Sequence, residues 1–369
     1  MNDTIPGGMP ASQFLRDYWQ KKPLLIRQAF AYFPGLLNKQ QLIALACNEE
    51  AKSKLIQLKT PKQTVSHGPF SKKDFAKLSE KWTVLVQDVN HFLPSAHELL
   101  QAFNFIPTAR LDDLMVSFAT DGGGVGPHFD SYDVFLLQGS GQRLWQISEQ
   151  ADLSLVPDMP LQILKNFKPE QEWILEPGDM LYLPPHCAHN GVAVGDSMTY
   201  SIGFRAPDHQ HLAQEFLNFL ADNLALEGIY TDPDLALNQD PALISETMLK
   251  QMADIVNKIR FDKKDIECFV GNYLTEPKAH IFYDSPSSPL TKNKFLIKAQ
   301  EDGIRLDLKT QMLFTDNTFY INGEAFTCEK ASQPMLRQLA NERKILLTHD
   351  IDSNTVDALY SWYLAGYLA

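Results

Sequence analysis

Between residues 113 and 205 the chain is a succession of short apolar runs: DLMVSFA, DVFLLQ, RLWQIS, EWILE, DMLYLP, GVAV and MTYSIGF. GGGVGP, GSG, PDMP, EPGD and PP separate them. Seven strands at that spacing with Gly/Pro turns predict an antiparallel sandwich or barrel. The preceding residues are mixed. Ser12 is placed to cap a helix over 13–20, and Pro23 opens the extended run PLLIR. Helices are predicted over 39–47 and 72–78, a strand over WTVLVQDV (82–89), and a helix from Pro94 to near Phe103. After Pro207 the period changes to that of a helix. In 211–225, Leu212, Phe216, Phe219, Leu220 and Leu224 share one face, and further helices follow near 245–260 and 263–274. DSPSSP (284–289) reads as a linker. Beyond it, GIRLDL, QMLFT, TFYING and EAFTC alternate with helices near 334–341 and 356–368, which suits a winged-helix-like module. The division expected is 1–207, 208–283 and 284–369, an α+β chain.

Composition changes this picture little. The 369 residues are 44% hydrophobic and 21% charged, an ordinary globular balance that exceeds what one core usually supports. No apolar run is long enough for a membrane span, and the N-terminus lacks the basic start and apolar core of a signal peptide. The cytoplasm is the expected compartment. Cys47, Cys187, Cys268 and Cys328 lie far apart, which excludes a zinc ribbon and suits reduced thiols. A net charge of −12 argues against direct nucleic-acid binding and makes a basic protein the more natural partner. Eight of the acids fall within 208–250, against Lys250 alone.

The candidate chemistry begins at GPHFDSYDVF (126–135). Side chains two apart on a strand point the same way, so His128 and Asp130 address one point. An imidazole and a carboxylate so placed are two-thirds of the facial triad of non-haem Fe(II). EPGDMLYLPPHCAHNGVAV offers His186 and His189 as the third ligand, and His189, directly before an apolar run, is the better fixed. GGGVG lacks the Lys-Ser/Thr of a phosphate loop and reads as a segment letting backbone approach the metal site. His209 and His211 open a helix and face different sides; His67, His91, His97, His280 and His349 have no recruiting spacing. GxSxG, HExxH and paired Cys are absent, so hydrolase, zincin and thiol chemistries lack support. If two of the open metal positions take 2-oxoglutarate, its far carboxylate needs a fixed cation, and Arg143 in GQRLWQIS is the candidate. In a simple hairpin about GSG that residue would lie far from Asp130; in a jelly roll the two strands belong to opposite sheets.

HFDSYDVFLLQGSGQRLW, EPGDMLYLPPHCAHNG and MTYSIGFRAP together resemble the bacterial JmjC-type ribosomal oxygenases, ribosomal-protein arginine hydroxylases (YcfD/RoxA-like), and FLRDYWQKKPLLIR is similar to that family's opening segment. The resemblance implies a double-stranded β-helix (jelly-roll, cupin-like JmjC) core with N-terminal α/β elements, a helical dimerisation region and a winged-helix-like end. It carries over His128, Asp130 and His189 as iron ligands and Arg143 as the anchor of 2-oxoglutarate, with O2 as the other co-substrate. It further implies an arginine β-carbon of a large-subunit ribosomal protein as substrate. Two positions depart from the family pattern and are expected to line the co-substrate pocket: Ala119 in place of serine, and Thr199, which still offers a hydroxyl, in place of asparagine. Tyr132, Asp133 and Gln138 are near enough in sequence to meet a cationic side chain. Demethylation of a methylated lysine or arginine would use the same iron centre. A non-catalytic metal-binding sensor would need no Arg143, and a structural zinc would close the site.

Overall fold

The computed structural model describes residues 2–59, 62–78, 81–237, 240–348 and 350–369. They form two compact units, one of Met1–Ala206, Pro277–Gln311 and Glu329–Ala369, the other of Pro207–Glu276 and Met312–Cys328.

The first unit is built on two facing antiparallel sheets. Its strands are β1 (Leu24–Ile26), β2 (Ser53–Lys59), β3 (Lys62–His67), β4 (Trp82–Val86), β5 (Leu111–Ala119), β6 (Val134–Gln138), β7 (Gln142–Ser148), β8 (Gln171–Leu175), β9 (Met180–Leu183), β10 (Ala188–Val194) and β11 (Ser197–Phe204). Eight lie in the order β1-β9-β6-β11-β5-β4-β2-β3 and three in the order β10-β7-β8. β6 and β7, although consecutive, therefore belong to opposite sheets, as a jelly roll requires. Gly141 makes that switch. At φ 66° it passes so close to Asp196 that a Cβ would lie 2.0 Å from the carbonyl oxygen.

β6 explains why the central runs are apolar without alternation. Val134 and Leu136 face the small sheet, packing with Trp145, Leu181 and Leu183. Phe135 and Leu137 face the other way, into a core with Phe14, Phe103, Phe105 and Tyr182. A strand covered on both faces has no polar side. That second core seats the N-terminal helices α1 (Ala11–Asp17), α2 (Lys39–Ala46), α3 (Lys72–Ala76) and α4 (Pro94–Gln101). The first helix departs from the expectation at its start. Pro10 precedes it with φ −54°, so Ser12 lies inside the helix and caps nothing. The β2–β3 hairpin was not foreseen, because SKLIQLK and KQTVSH mix lysines and other polar residues with few apolar ones, and β3 lies at the edge of the sheet.

The second unit contains α5 (His209–Asn223), α6 (Glu246–Val256) and α7 (Lys263–Thr275). Asp208 caps α5 by accepting from the His211 N–H at 2.9 Å. Phe216 and Phe219 of α5 pack on Phe269 of α7, with ring centres 5.1 and 5.7 Å apart. The first unit also holds α8 (Lys292–Glu301) and the strand β12 (Ile304–Arg305), while β13 (Met312–Phe314), β14 (Thr318–Ile321) and β15 (Glu324–Thr327) form a meander in the second. Gly271 of α7 lies against the Tyr320 ring of that meander. α9 (Gln333–Glu342), β16 (Lys344–Ile345) and α10 (Ser353–Leu364) complete the first unit. No described helix is long and apolar enough to cross a membrane.

Candidate metal centre and co-substrate cavity

The glycine loop aligns the first ligand. Gly122 N–H donates to Ala193 O at 2.9 Å and Ala193 N–H to Gly123 O at 2.9 Å, so the loop runs along β10 like a further strand. A Cβ on Gly124 would fall 2.4 Å from the Gly191 oxygen, an approach only glycine allows. The pairing continues to His128 and His189, which exchange both backbone hydrogen bonds, at 2.9 and 2.7 Å. Residues so paired carry their side chains on the same face. The two imidazole centres are accordingly 4.2 Å apart.

Asp130 completes the cluster. One donor atom from each of His128, Asp130 and His189 lies within 4.8 Å of the others, and His189 Nε2 is 3.7 Å from Asp130 Oδ2. Two donors each about 2 Å from one ion stand about 3–4 Å apart, so this set fits a shared cation. The tautomers fit as well. His128 Nδ1 is 2.9 Å from Gly126 O and His189 Nδ1 is 2.9 Å from Cys187 O. A carbonyl only accepts, so each Nδ1 carries the proton and each Nε2 keeps its lone pair. Burial, then the neighbouring His128, pushes His189 down to about 4, which keeps the ring neutral and able to ligate. His186, the competing candidate, is exposed and lies beside the Phe129 ring; its backbone N–H donates to Asp130 O at 2.7 Å.

The triad opens into a cavity of about 200 Å³ between the sheets. Arg143 enters it from β7, buried to 4% exposure. One terminal nitrogen donates to Ser117 Oγ at 3.4 Å, while Nε and the other terminal nitrogen have no partner among the described residues. Burial lowers this guanidinium to about 10, still charged at neutral pH. An unpaired buried cation is costly, and its free donors match a carboxylate. A distal carboxylate of a co-substrate would match these donors.

The polar lining differs from expectation at one position. Ala119 is fully buried but does not line the cavity; Ser117, two residues earlier on β5, supplies the hydroxyl, and its partner across the ladder is Thr199. A period of two in the strand made either residue face inward, and only the strand's depth distinguishes them. Thr199 does line the cavity, with Oγ1 donating to Gln138 Oε1 at 3.2 Å. Gln138 itself is spent on the GSG turn, donating to Ser140 O, Gly141 O and Ser197 Oγ. Asp133 turns into the core, accepting from Tyr182 at 2.6 Å and Gln20 at 2.9 Å. Of the three residues considered for substrate contact, Tyr132 alone lines the cavity, 40% exposed.

The opposite wall was missed in the sequence. Asp112, Asp113 and Gln87 line it, and Gln87 Oε1 has no partner among the described residues. Burial, then the charge of Asp88, pushes the Asp113 carboxyl up to about 7. His91 and His97 lie away from the triad, and burial first lowers them to about 4 and about 3. His349 lies outside the described residues.

Fold and site together define a JmjC-type protein: residues 98–212 match the JmjC domain, and 258–369 match the ROXA-like winged helix. The chain is 32% identical over 332 residues to the Ribosomal protein uL16 3-hydroxylase of Escherichia coli, covering 89% of this chain and 88% of that one. It belongs to the family of that ribosomal oxygenase. The crystal structure of E. coli YcfD superposes with a TM-score of 0.83 at 29% identity, covering 97% of each chain. A second structure of that protein, in complex with cobalt and 2-oxoglutarate, gives a TM-score of 0.81 at the same identity and coverage.

Proposed function

We propose that this chain is an Fe(II)- and 2-oxoglutarate-dependent hydroxylase acting on an arginine of a large-subunit ribosomal protein, uL16 by its relative's substrate. The observation that carries the reading is the pairing of an open three-ligand site with an uncompensated buried guanidinium in one cavity. When bound, iron and 2-oxoglutarate supply the oxidising power that inserts one oxygen atom of O2 into a C–H bond, with succinate and CO2 as the other products.

The chain's own residues place the reactants. His128, Asp130 and His189 would hold the metal through one donor each, with positions left for co-substrate. Arg143 takes the far carboxylate of 2-oxoglutarate through parallel N–H donors, beside the hydroxyls of Ser117 and Thr199. Val134, Leu136 and Trp145 wall the cavity and exclude water. The partly exposed Asp112, with Gln87 Oε1 and the Tyr132 ring, suits a cationic side chain, which arginine provides and a neutral residue does not.

In this reading the enzyme works where ribosomal proteins are made, in the cytoplasm, and as a homodimer. Leu249, Met252, Ile255 and Val256 of α6 are each between 38% and 62% exposed, an apolar surface of the kind a second copy covers. Incubating the protein with uL16, Fe(II), ascorbate and 2-oxoglutarate should add one oxygen to uL16 by intact mass and release succinate. Loss of CH2 from a methylated substrate instead would support a demethylase, and binding without succinate a sensor.

A further inference from the structure

The acidic wall is already partly occupied. Lys278, in the segment 277–283 of the first unit, places Nζ 2.7 Å from Asp88 Oδ1 and 3.2 Å from Asp112 Oδ1. His280 Nε2 stands 3.2 Å from the other oxygen of Asp88. Asp88 is a buried carboxylate at φ 55°, and its N–H donates to Asp113 Oδ2 at 3.0 Å. One ammonium thus touches Asp112 directly and is tied through Asp88 to Asp113, the two acids that line the cavity. Removing the ammonium from a buried carboxylate is costly, so Asp88 holds Lys278 in place whether or not a substrate is present. A mobile surface lysine would yield to an incoming cation; this one is held where it must be shared or displaced.

We propose that Lys278 is an internal cation that competes with the substrate's cationic side chain for the Asp112 carboxylate, and so sets the affinity of the cavity for basic substrates. The proposal rests on the reading above that the substrate side chain is cationic. Lys278 touches neither the triad nor Arg143 in this arrangement; it is a positioning residue that acts through Asp112. Its effect is on substrate binding, with the metal chemistry untouched. Arg205 Nε, 3.7 Å from the same Asp112 oxygen, adds to the positive side of the balance. Partial exposure screens the contest, since the side chains of Lys278 and Asp112 are 34% and 39% exposed. The expected shift is therefore about fivefold, the upper end for a partly exposed pair.

The test uses iron-loaded enzyme with 2-oxoglutarate and two peptides, one with a single central arginine and one with the neutral isostere citrulline in its place. Affinity is read anaerobically by fluorescence anisotropy, and KM and kcat in air by succinate release. K278M should tighten the arginine peptide and lower its KM about fivefold, with kcat, the KM for 2-oxoglutarate and the citrulline affinity unchanged. K278R should behave as the parent. Should K278M fold poorly because Asp88 is left unpaired, D88N/K278M removes that buried charge and should show the same tightening. An arginine affinity that is unchanged or weaker in both variants overturns the proposal, as does equal tightening of the citrulline peptide. Parent enzyme that binds both peptides equally would instead overturn the cationic-substrate reading, and this proposal with it.

Discussion

The two walls of the one cavity were built by different means. On the metal wall, Arg143 stands on β7 and His189 on β10, His128 is paired with His189 across the ladder, and Asp130 follows in the loop with its backbone oxygen bound by the His186 N–H. On the acidic wall, Asp112 and Asp113 of β5 answer to Lys278, some 165 residues further along the chain. The first wall is a matter of strand register. The second is a balance of charges brought together by tertiary folding. Ladder geometry tolerates no partial loss, whereas a charge balance is graded, and the expected responses to substitution separate accordingly.

The largest effect belongs to the metal wall. Asp130→Ala should reduce turnover by more than about a hundredfold, a size that even outer-shell losses at metal sites reach. The fold should survive, because Asp130 is partly exposed and its structural bond to His186 is made by the backbone oxygen. Circular dichroism with succinate release checks both halves; retained 2-oxoglutarate decarboxylation would remove the triad assignment. Arg143→Lys comes next. It keeps the charge and loses the fork, so the KM for 2-oxoglutarate should rise about ten- to a hundredfold, as for a charge-assisted hydrogen bond. An unchanged KM would mean that the orphaned nitrogens serve no carboxylate.

The same contrast explains what was legible in the sequence. The ligands were readable because the His-x-Asp pair and His189 sit in short local motifs, although Asp130 lies in the loop before β6 and in no strand. The GSG turn alone allowed a hairpin that would hold Arg143 away, and only the jelly-roll arrangement, with β6 and β7 in opposite sheets, brings it inward. His189 was chosen over His186 on the same local ground, and it proves to be the second residue of β10. Ala119 was expected in the lining only from the resemblance to the family pattern, whereas Ser117, on the same face of β5 two residues earlier, is the residue that lines the cavity. Asp112 and Asp113 looked like ordinary polar residues at a strand start, and no spacing links them to Lys278. Ser12 misled as a cap because Pro10 already sets the helix entry.

On the acidic wall, Asp112→Asn should raise the KM for an arginine peptide roughly fivefold and leave kcat nearly alone. Its sign is opposite to that expected for Lys278→Met, and equal signs would mean that the two residues merely hold the wall together. Steady-state kinetics at low and high salt distinguishes these, since a charge effect between partly exposed groups fades as salt rises.

The smallest and most specific effect is on stability against pH. The Asp113 carboxyl is raised from 3.8 to about 7 on folding, by burial first and then by Asp88. A raised carboxyl means that the folded state holds the proton more tightly than the unfolded chain. Its stabilising contribution is complete below about pH 4 and is lost as pH climbs to about 7. His91 and His97 act in the opposite direction. Burial lowers them from 6.5 to about 4 and about 3, so their contribution is full above 6.5 and disappears as pH falls through those values. The parent should therefore lose stability on both sides of a maximum in mildly acidic solution. Asp113→Asn keeps the shape and removes the titration, so chemical denaturation across pH 4–8 should show a flattened alkaline limb and a steeper acid limb, where the Asp113 loss no longer offsets the histidine gain. An alkaline limb that survives the substitution would locate the titration elsewhere, and would leave Asp113 a charged member of the wall that receives the substrate.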